Sequence, residues 1–229
     1  MSAKRNGCMG VLAAVVLALA AEAAAETPDR QDLPLSTAQT ALFETPHLAA
    51  IAHPETLQYR FERTGIDPFT DRVAVHIDEI HPDGTKSVSF DFLSGERHVF
   101  FPAVDNFRGN PLLMIFLEHD VQEMKQQTGV AAAYFRNRVR DAFIDRATID
   151  DSTVELAGRV VSARSITLKP YADDQRFEKL PSVQGKTYRF TLSEQVPGQL
   201  QTLEVDIPAD PGQQTQAWSE KVTFTGEKS

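Results

Sequence analysis

Apolar and polar residues alternate one by one along most of this chain, and that pattern limits the possible folds more than any other feature. The alternation runs from Leu57 to Phe92 and returns between Thr153 and Phe224. A period of two is typical of strands that bury one face and expose the other to water. We therefore expect a largely antiparallel sheet, with Val99 and Phe101 marking a further short strand after the first run.

Between these two runs the apolar period changes to 3.6 residues, which predicts two successive helices. Asn110 has the side chain of an N-cap, Pro111 suits the first helical position, and Gly129 suits the end of the first helix. The second helix is predicted from Ala131 to Arg146. A short or broken helix is also expected near the start of the domain, where Pro46 interrupts a weak helical pattern.

The order of these elements favours an α+β fold. Strands that follow one another without intervening helices form antiparallel meanders, and the turn His81-Pro82-Asp83-Gly84 joins two of them as a hairpin. A parallel sheet would instead need helices that alternate regularly with strands. The prediction is a curved antiparallel sheet, an open half-barrel of about eight strands, with the two central helices packed on its concave face.

Residues 1–25 have the features of a secretory signal peptide. Two basic residues precede an apolar stretch from Met9 to Ala21, and small residues around Ala25 suit cleavage there. The stretch is shorter than the about 20 residues that a membrane-spanning helix needs, so we expect an exported, periplasmic protein that does not span the membrane. Residues 26–36 are interpreted as a flexible N-terminal tail and residues 37–229 as a single α+β domain.

Composition excludes several classes of function. The chain has 23 Lys and Arg against 32 Asp and Glu, a formal charge of -9, whereas nucleic-acid binding needs clustered basic residues. The single Cys, Cys8, lies in the predicted signal peptide, which leaves the mature protein without thiol chemistry or a disulfide. Because no Gly-x-Ser-x-Gly, Gly-x-Gly-x-x-Gly or phosphate-loop sequence is present, no catalytic residue, cofactor or metal ligand is predicted.

The order of elements resembles that of the LolA and LolB lipoprotein carriers. The shared features are export, a short N-terminal helix, an antiparallel meander, a central helical pair and a closing set of strands, along most of residues 37–225. In that family the curved sheet and its helical lid enclose an apolar cavity that holds acyl chains. The resemblance implies a non-enzymatic carrier for a lipid, an acyl chain or a lipopeptide, and it transfers no functional residue to this sequence.

A carrier of this kind needs a large apolar inner surface, and the chain contains 14 Phe. The residues predicted to line the ligand cavity lie on the inner face of the sheet or on the helices that cover it. They are Tyr59, Phe61, Phe90, Phe92, Leu117, Phe135 and Phe190. The alternative is that these residues fill a tight core without a cavity, because alternating apolar residues are first of all core residues.

A basic cluster supports a second hypothesis, an accessory module of an exported protein complex. Such a module would use the helical pair and the loop 100–102, and its arginines could bind a partner's carboxylates or an anionic headgroup. The predicted partner-binding residues are Arg108, Arg136, Arg138 and Arg140. The alternative is that these arginines pair with neighbouring acidic residues at the surface.

Histidine and acidic residues near the edge of the predicted sheet support a third hypothesis, that the protein is a hydrolase. In the simplest register His76 and His98 would approach each other near Asp78, although their alternation with apolar residues also suits a plain solvent-facing surface. His119 and Glu123 are spaced i,i+4 on the first central helix and could share a ligand. Two ligands do not make a metal site, so we interpret this pair as part of a solvated helix face.

Overall fold

The structure, a computed structural model, describes residues 34–210, 212 and 216–228. The predicted signal peptide and most of the predicted tail therefore lie outside the described residues. Residues 35–229 form one compact unit. Among the described residues, no helix is both long enough and apolar enough to cross a bilayer.

Nine antiparallel strands form a single sheet in the described part of the chain. The strands are Glu55–Thr64 (β1), Phe69–Ile80 (β2), Lys86–Phe92 (β3), Val104–Phe107 (β4), Thr148–Leu156 (β5), Arg159–Leu168 (β6), Thr187–Leu192 (β7), Leu200–Ile207 (β8) and Trp218–Lys228 (β9). Their order across the sheet is β4-β3-β2-β1-β9-β8-β7-β6-β5, so β4 and β5 are edges and the sheet is not closed. The predicted α+β half-barrel is confirmed, with nine strands where about eight were expected.

The first and last strands are neighbours in the middle of the sheet, because β1 pairs with β9 as well as with β2. The sheet thus consists of two meanders, one on each side of this central pair. The helical pair follows the edge strand β4 and precedes the opposite edge strand β5. The helical pair therefore connects one edge strand of the sheet to the opposite edge strand.

The helices agree with the predicted pattern. They are Thr37–Gln39 (α1), which continues as a π-helical turn over Thr40–Glu44, Leu112–Thr128 (α2), Ala132–Asp145 (α3) and Pro181–Gln184 (α4). The Asn110 carboxamide oxygen accepts the Leu112 N–H at 3.2 Å, and Gly129 ends α2 with a φ of 71°. The first helical segment ends before Pro46, because the residue before a proline is disfavoured in helical conformation.

One local prediction about strands is wrong. The strand expected at Val99 and Phe101 lies instead at β4, and Val99 makes one isolated bridge to Phe92. Pro102 lacks the N–H that a ladder requires, which explains why the strand starts later. Strands β5 and β6 are joined by a tight hairpin turn. Its two turn residues, Ala157 and Gly158, both have positive φ, as a type I′ turn demands.

Aromatic rings fill the space between the helices and the sheet. The Phe143 ring of α3 lies 5.8 Å from the Phe190 ring of β7, and the His119 ring of α2 lies 5.1 Å from the Phe92 ring of β3. The buried apolar residues of both layers belong to one cluster. Helix α2 therefore packs against β3, and helix α3 packs against β7.

Candidate functional site

An apolar groove of about 390 Å³ lies between the three helical segments. It is lined by Leu35, Gln39, Phe43, Glu44, Met114, Leu117, Glu118, Val121, Arg136, Val139, Arg140 and Phe143. The α2 and α3 residues in this set each follow the spacing i, i+3, i+4, i+7, so each helix presents one continuous face to the groove. Pockets that hold small ligands have volumes of about 300–1,000 Å³ and mostly apolar walls, and this groove fits that description.

Exposed apolar side chains concentrate at this groove. Six large hydrophobic residues of the described chain are exposed, and three of them, Leu35, Phe43 and Met114, line it. The Met114 side chain is 54% exposed, whereas other apolar residues of α2, such as Phe116 and Met124, are buried. The Phe43 and Phe143 rings meet edge to face at 5.2 Å and form the wall between the first segment and α3. A contiguous apolar surface on a protein generally marks a binding site.

Charged side chains border the groove on α2 and α3. Arg136 donates to both carboxylate oxygens of Glu118, at 2.8 and 2.6 Å. These bonds from Arg136 lower the pKa of Glu118, so the pair stays ionised and satisfied. Among the described residues no acidic side chain forms an ion pair with Arg140, which leaves its guanidinium available to an anion. The fourth charged residue of the lining is Glu44.

Buried hydrogen bonds hold the first segment against the two central helices. The His47 ring donates from Nε2 to the Ala41 carbonyl at 2.8 Å and accepts the Asn110 N–H at Nδ1 at 3.2 Å. Burial lowers the pKa of His47, so the ring is neutral in this arrangement. The Ser36 hydroxyl donates to the Phe143 carbonyl at 2.7 Å. The wall of the groove that contains Phe43 is thus fixed at both ends.

Asn110 is the centre of this network. Its carboxamide nitrogen donates to the Tyr59 hydroxyl at 3.2 Å and to the Gly198 carbonyl at 3.0 Å. Its own N–H and carboxamide oxygen are used by His47 and Leu112. Asn110 therefore joins the start of α2 to β1 and to the turn before β8 through its side chain, and to the first segment through its backbone N–H.

One of the seven residues predicted to bind a ligand, Leu117, lines the groove. The other six belong to the packed cluster between helices and sheet, where Phe61, Phe92, Phe135 and Phe190 are completely buried. Tyr59 is also buried and Phe90 is half-buried against the same cluster. The helical spacing of Leu117 places it at the border between the two stripes of α2.

The four predicted arginines do not form one cluster. Arg136 and Arg140 lie at the groove, whereas Arg138 points to another side of α3 and pairs with Asp173 at 2.9 Å. Arg108 lies near the first hairpin and contacts the Asp83 carboxylate at 3.5 Å. Surface pairing with acids, the alternative considered for this set, describes three of the four residues.

The histidine surface has a different arrangement from the one expected for a hydrolase. The Thr56 hydroxyl lies 3.0 Å from His76 Nδ1, and His76 Nε2 lies 3.1 Å from an Asp91 carboxylate oxygen. His98 follows a 3₁₀ turn and is not part of a strand. Acyl transfer also needs donors aimed at the developing oxyanion. Thr56 lies in a central strand whose backbone pairs with β2 and β9, and this arrangement supplies no such donors.

The interpretation of His119 and Glu123 as a solvated helix face is wrong. The His119 side chain is 12% exposed and lies against the Phe92 ring. Arg63 of β1 and Glu220 of β9 complete a cluster with this pair. The sequence pattern failed here because residues 63, 119 and 220 come together only through the pairing of the first and last strands.

The sequence does contain signals for the groove. Met114 repeats with Leu117 and Val121 as a second apolar stripe on α2, beside the stripe that faces the sheet. Val139 and Phe143 on α3 have the same spacing. A helix with two adjacent apolar stripes must contact two different partners. The second stripe of α2 therefore indicates the groove, whereas Val139 and Phe143 of α3 line the groove and also belong to the core.

Fold and site together define an open-sheet α+β domain with an apolar groove between helices outside its core. No protein-family model matches the chain, and no curated protein matches it. Among solved structures, it is similar to the lipoprotein LppX of Mycobacterium tuberculosis, with 11% identity, a TM-score of 0.30, and coverage of 80% of this chain and 91% of that one. It is also similar to a LolA superfamily protein of Nitrosomonas europaea, with 8% identity, a TM-score of 0.22, and coverage of 84% and 93%.

Both likenesses are of low identity and low TM-score. At such TM-scores they carry no argument about function. The argument for function rests on the groove itself.

Proposed function

We propose that the protein is an exported, periplasmic carrier that binds an acyl chain of a lipid or lipopeptide in the groove between its helices. The observation that carries this proposal is the concentration of exposed apolar side chains at one groove. The α2 wall extends from Met114 to Val121, which is about 10 Å at the helical rise of 1.5 Å per residue. That length and the volume of about 390 Å³ suit one slim hydrocarbon chain.

The Arg140 guanidinium, which has no ion-pair partner among the described residues, favours an anionic headgroup. A carboxylate or phosphate at the mouth of the groove would receive charge-assisted hydrogen bonds from it. Arg136 is already bonded to Glu118 and would contribute less. We expect Arg140→Ala to weaken binding of a fatty carboxylate several-fold and to leave binding of its methyl ester unchanged. Arg108→Ala is the matched control, because Arg108 lies away from the groove beside Asp83.

Titration with a fluorescent fatty acid, together with native mass spectrometry of protein purified without detergent, tests the proposal. We expect one bound chain per protein, and a loss of binding in Met114→Glu, which places a charge on the exposed wall without touching the core. Val160→Glu is the control, because Val160 is 74% exposed on β6 and does not line the groove. A clean apo mass with no fatty-acid uptake would remove the proposal.

A second candidate function, an accessory module for a protein partner, is favoured by one observation. Phe100 is 78% exposed, more than any other large hydrophobic side chain of the described residues. A partner that docks on this loop and on the helical pair would lose affinity with Phe100→Ser, and with Arg136→Glu combined with Arg140→Glu. Capture of one defined protein, sensitive to these changes and unaffected by Met114→Glu, would favour this function over lipid transport.

A further inference from the structure

Four polar side chains meet between α2 and the centre of the sheet, away from the groove. Arg63 of β1 and Glu220 of β9 are directly paired across the ladder, so their side chains emerge side by side on one face. His119 and Glu123 lie one turn apart on α2 and face them. The Glu220 side chain is completely buried, and the His119 and Glu123 side chains are 12% and 20% exposed.

Three polar atoms of this cluster have no hydrogen-bond partner. They are Nε2 of His119, Oε2 of Glu123 and Oε2 of Glu220. Buried polar atoms are almost always satisfied, and three such atoms in one place need an explanation. One possible ligand atom from each of His119, Glu123 and Glu220 lies within 4.8 Å of one from each of the other two. The three side chains therefore converge on one point.

Arg63 explains why each carboxylate keeps one oxygen free. Its guanidinium bonds to Oε1 of Glu123 and to Oε1 of Glu220, with the Nε bond to Glu220 at 2.7 Å. These bonds fix both carboxylates and leave Oε2 of each without a bond to Arg63, and Oε2 of Glu220 lies 3.6 Å from His119 Nε2. Metal ligands are commonly oriented in this way by a hydrogen-bonding partner behind them.

The separation of His119 Nε2 and Glu220 Oε2, 3.6 Å, distinguishes two explanations. It is long for a hydrogen bond from an imidazole N–H to a carboxylate. Two tetrahedral ligands at about 2.0–2.1 Å from a zinc ion would stand about 3.3 Å apart, so this pair is close to the spacing of two zinc ligands. We propose that His119, Glu123 and Glu220 form a binding site for a divalent transition-metal ion, with zinc as the best fit.

Three protein ligands leave one coordination position for water or another ligand. The partial exposure of His119 and Glu123 gives an ion access from solvent on that side. An ion held here would connect α2 to the central strands β1 and β9. Since the mixed nitrogen and oxygen donors suit zinc and not magnesium, the site should discriminate between the two ions.

Isothermal titration of the tag-free protein, stripped with a chelator, with zinc and separately with magnesium tests this proposal. We expect one zinc ion per chain, no magnesium binding, and a rise in Tm of about 5–10 °C when free zinc is 100-fold above the Kd. Cobalt in the same site should give a visible absorption band typical of a four- or five-coordinate ion. His119→Ala, Glu123→Gln and Glu220→Gln should each weaken zinc binding by at least about 10–100-fold.

Glu123→Gln is the decisive variant, because the side chain keeps its shape and its bond from Arg63 and is not fully buried. Its far-ultraviolet circular dichroism should match that of the unsubstituted protein. His53→Ala is the matched control, since His53 is 64% exposed and lies outside the cluster. The proposal is overturned if no zinc binds at 1:1, or if zinc binds equally well to Glu123→Gln. Either result would mean that the cluster contains a protonated His119 and no metal ion.

Discussion

Removing Asp120 should destabilise the protein more than any other single change to a polar residue. Asp120 lies on α2 and is completely buried, and its two carboxylate oxygens bond to the Lys186 ammonium and the Tyr188 hydroxyl. The Lys186 side chain is 1% exposed. Burial, helped by the charge of Asp120, raises the pKa of Tyr188, so its hydroxyl remains a donor. This cluster joins α2 to the start of β7.

The expected cost follows from what Asp120→Ala leaves behind. An ammonium group without a counter-charge would remain at a site almost closed to water, and breaking a buried pair in this way costs about 3–5 kcal/mol. For a domain of this size, each kcal/mol lowers the Tm by about 2–4 °C, so the predicted decrease is about 6–20 °C. Asp120→Leu combined with Lys186→Met removes both charges. Because apolar side chains of similar size often replace a buried pair without loss, the double variant should recover most of the stability.

Urea denaturation followed by circular dichroism measures the free energies of unfolding for Asp120→Leu, for Lys186→Met and for the double variant. The coupling energy of this cycle should be favourable and larger than about 2 kcal/mol. Tyr188→Phe, which removes one hydrogen bond and no charge, should cost only about 1 kcal/mol. If each single variant loses less than about 1 kcal/mol, or if the double variant loses the sum of both, the argument from buried charge is incorrect.

Two further predictions concern the network that holds the groove wall. Because burial lowers the pKa of His47 in the folded state, the unfolded chain binds its proton first as the pH falls below 6.5, and stability should decrease from there down to the lowered folded pKa. His47→Gln should flatten this part of the profile in thermal melts from pH 7.5 to 4.5, and an unchanged slope would contradict the assignment. Asn110→Ala leaves the Tyr59 hydroxyl and the Gly198 carbonyl without their partner, at a cost of about 2–4 kcal/mol by urea denaturation. Asn110→Asp, which keeps the acceptor for the α2 backbone, should lose stability as well, because it removes the carboxamide donor.

Periodicity predicted the elements well because the physics of burial is local in sequence. The alternation along β1 and β2 and the cap at Asn110 each depend on residues a few positions apart. The prediction of a strand at Val99 was wrong because the apolar pattern there includes Pro102, which has no N–H to donate to a ladder. Position in the sheet could not be predicted in this way. The pairing of β1 with β9 joins residues more than 150 positions apart, and no local pattern encodes it.

The candidate sites show the same division. The groove was within reach of the sequence, since Met114 extends the apolar pattern of α2 beyond the residues that the core buries. The cluster around Glu220 was not, although Glu220 is in phase with the buried Val222 and Phe224 and so falls on the inner face of β9. Its partners come from β1 and α2, and only the pairing of β1 with β9 and the packing of α2 over them bring these residues together. An acid on the inner face of a strand becomes part of a site only through what packs over it.

The groove lies on the outer side of the helices, and this position determines how a ligand would act on the fold. The space between helices and sheet is occupied by rings such as Phe61 and Phe135, so an acyl chain there would have to displace well-packed side chains. A chain in the groove instead contacts the first helical segment, whose Leu35 and Phe43 are exposed without it. Binding should therefore slow amide hydrogen exchange in residues 35–44 and leave exchange in β1 and β9 unchanged. Slower exchange confined to the strands would place the ligand between helices and sheet, at the residues that the sequence indicated.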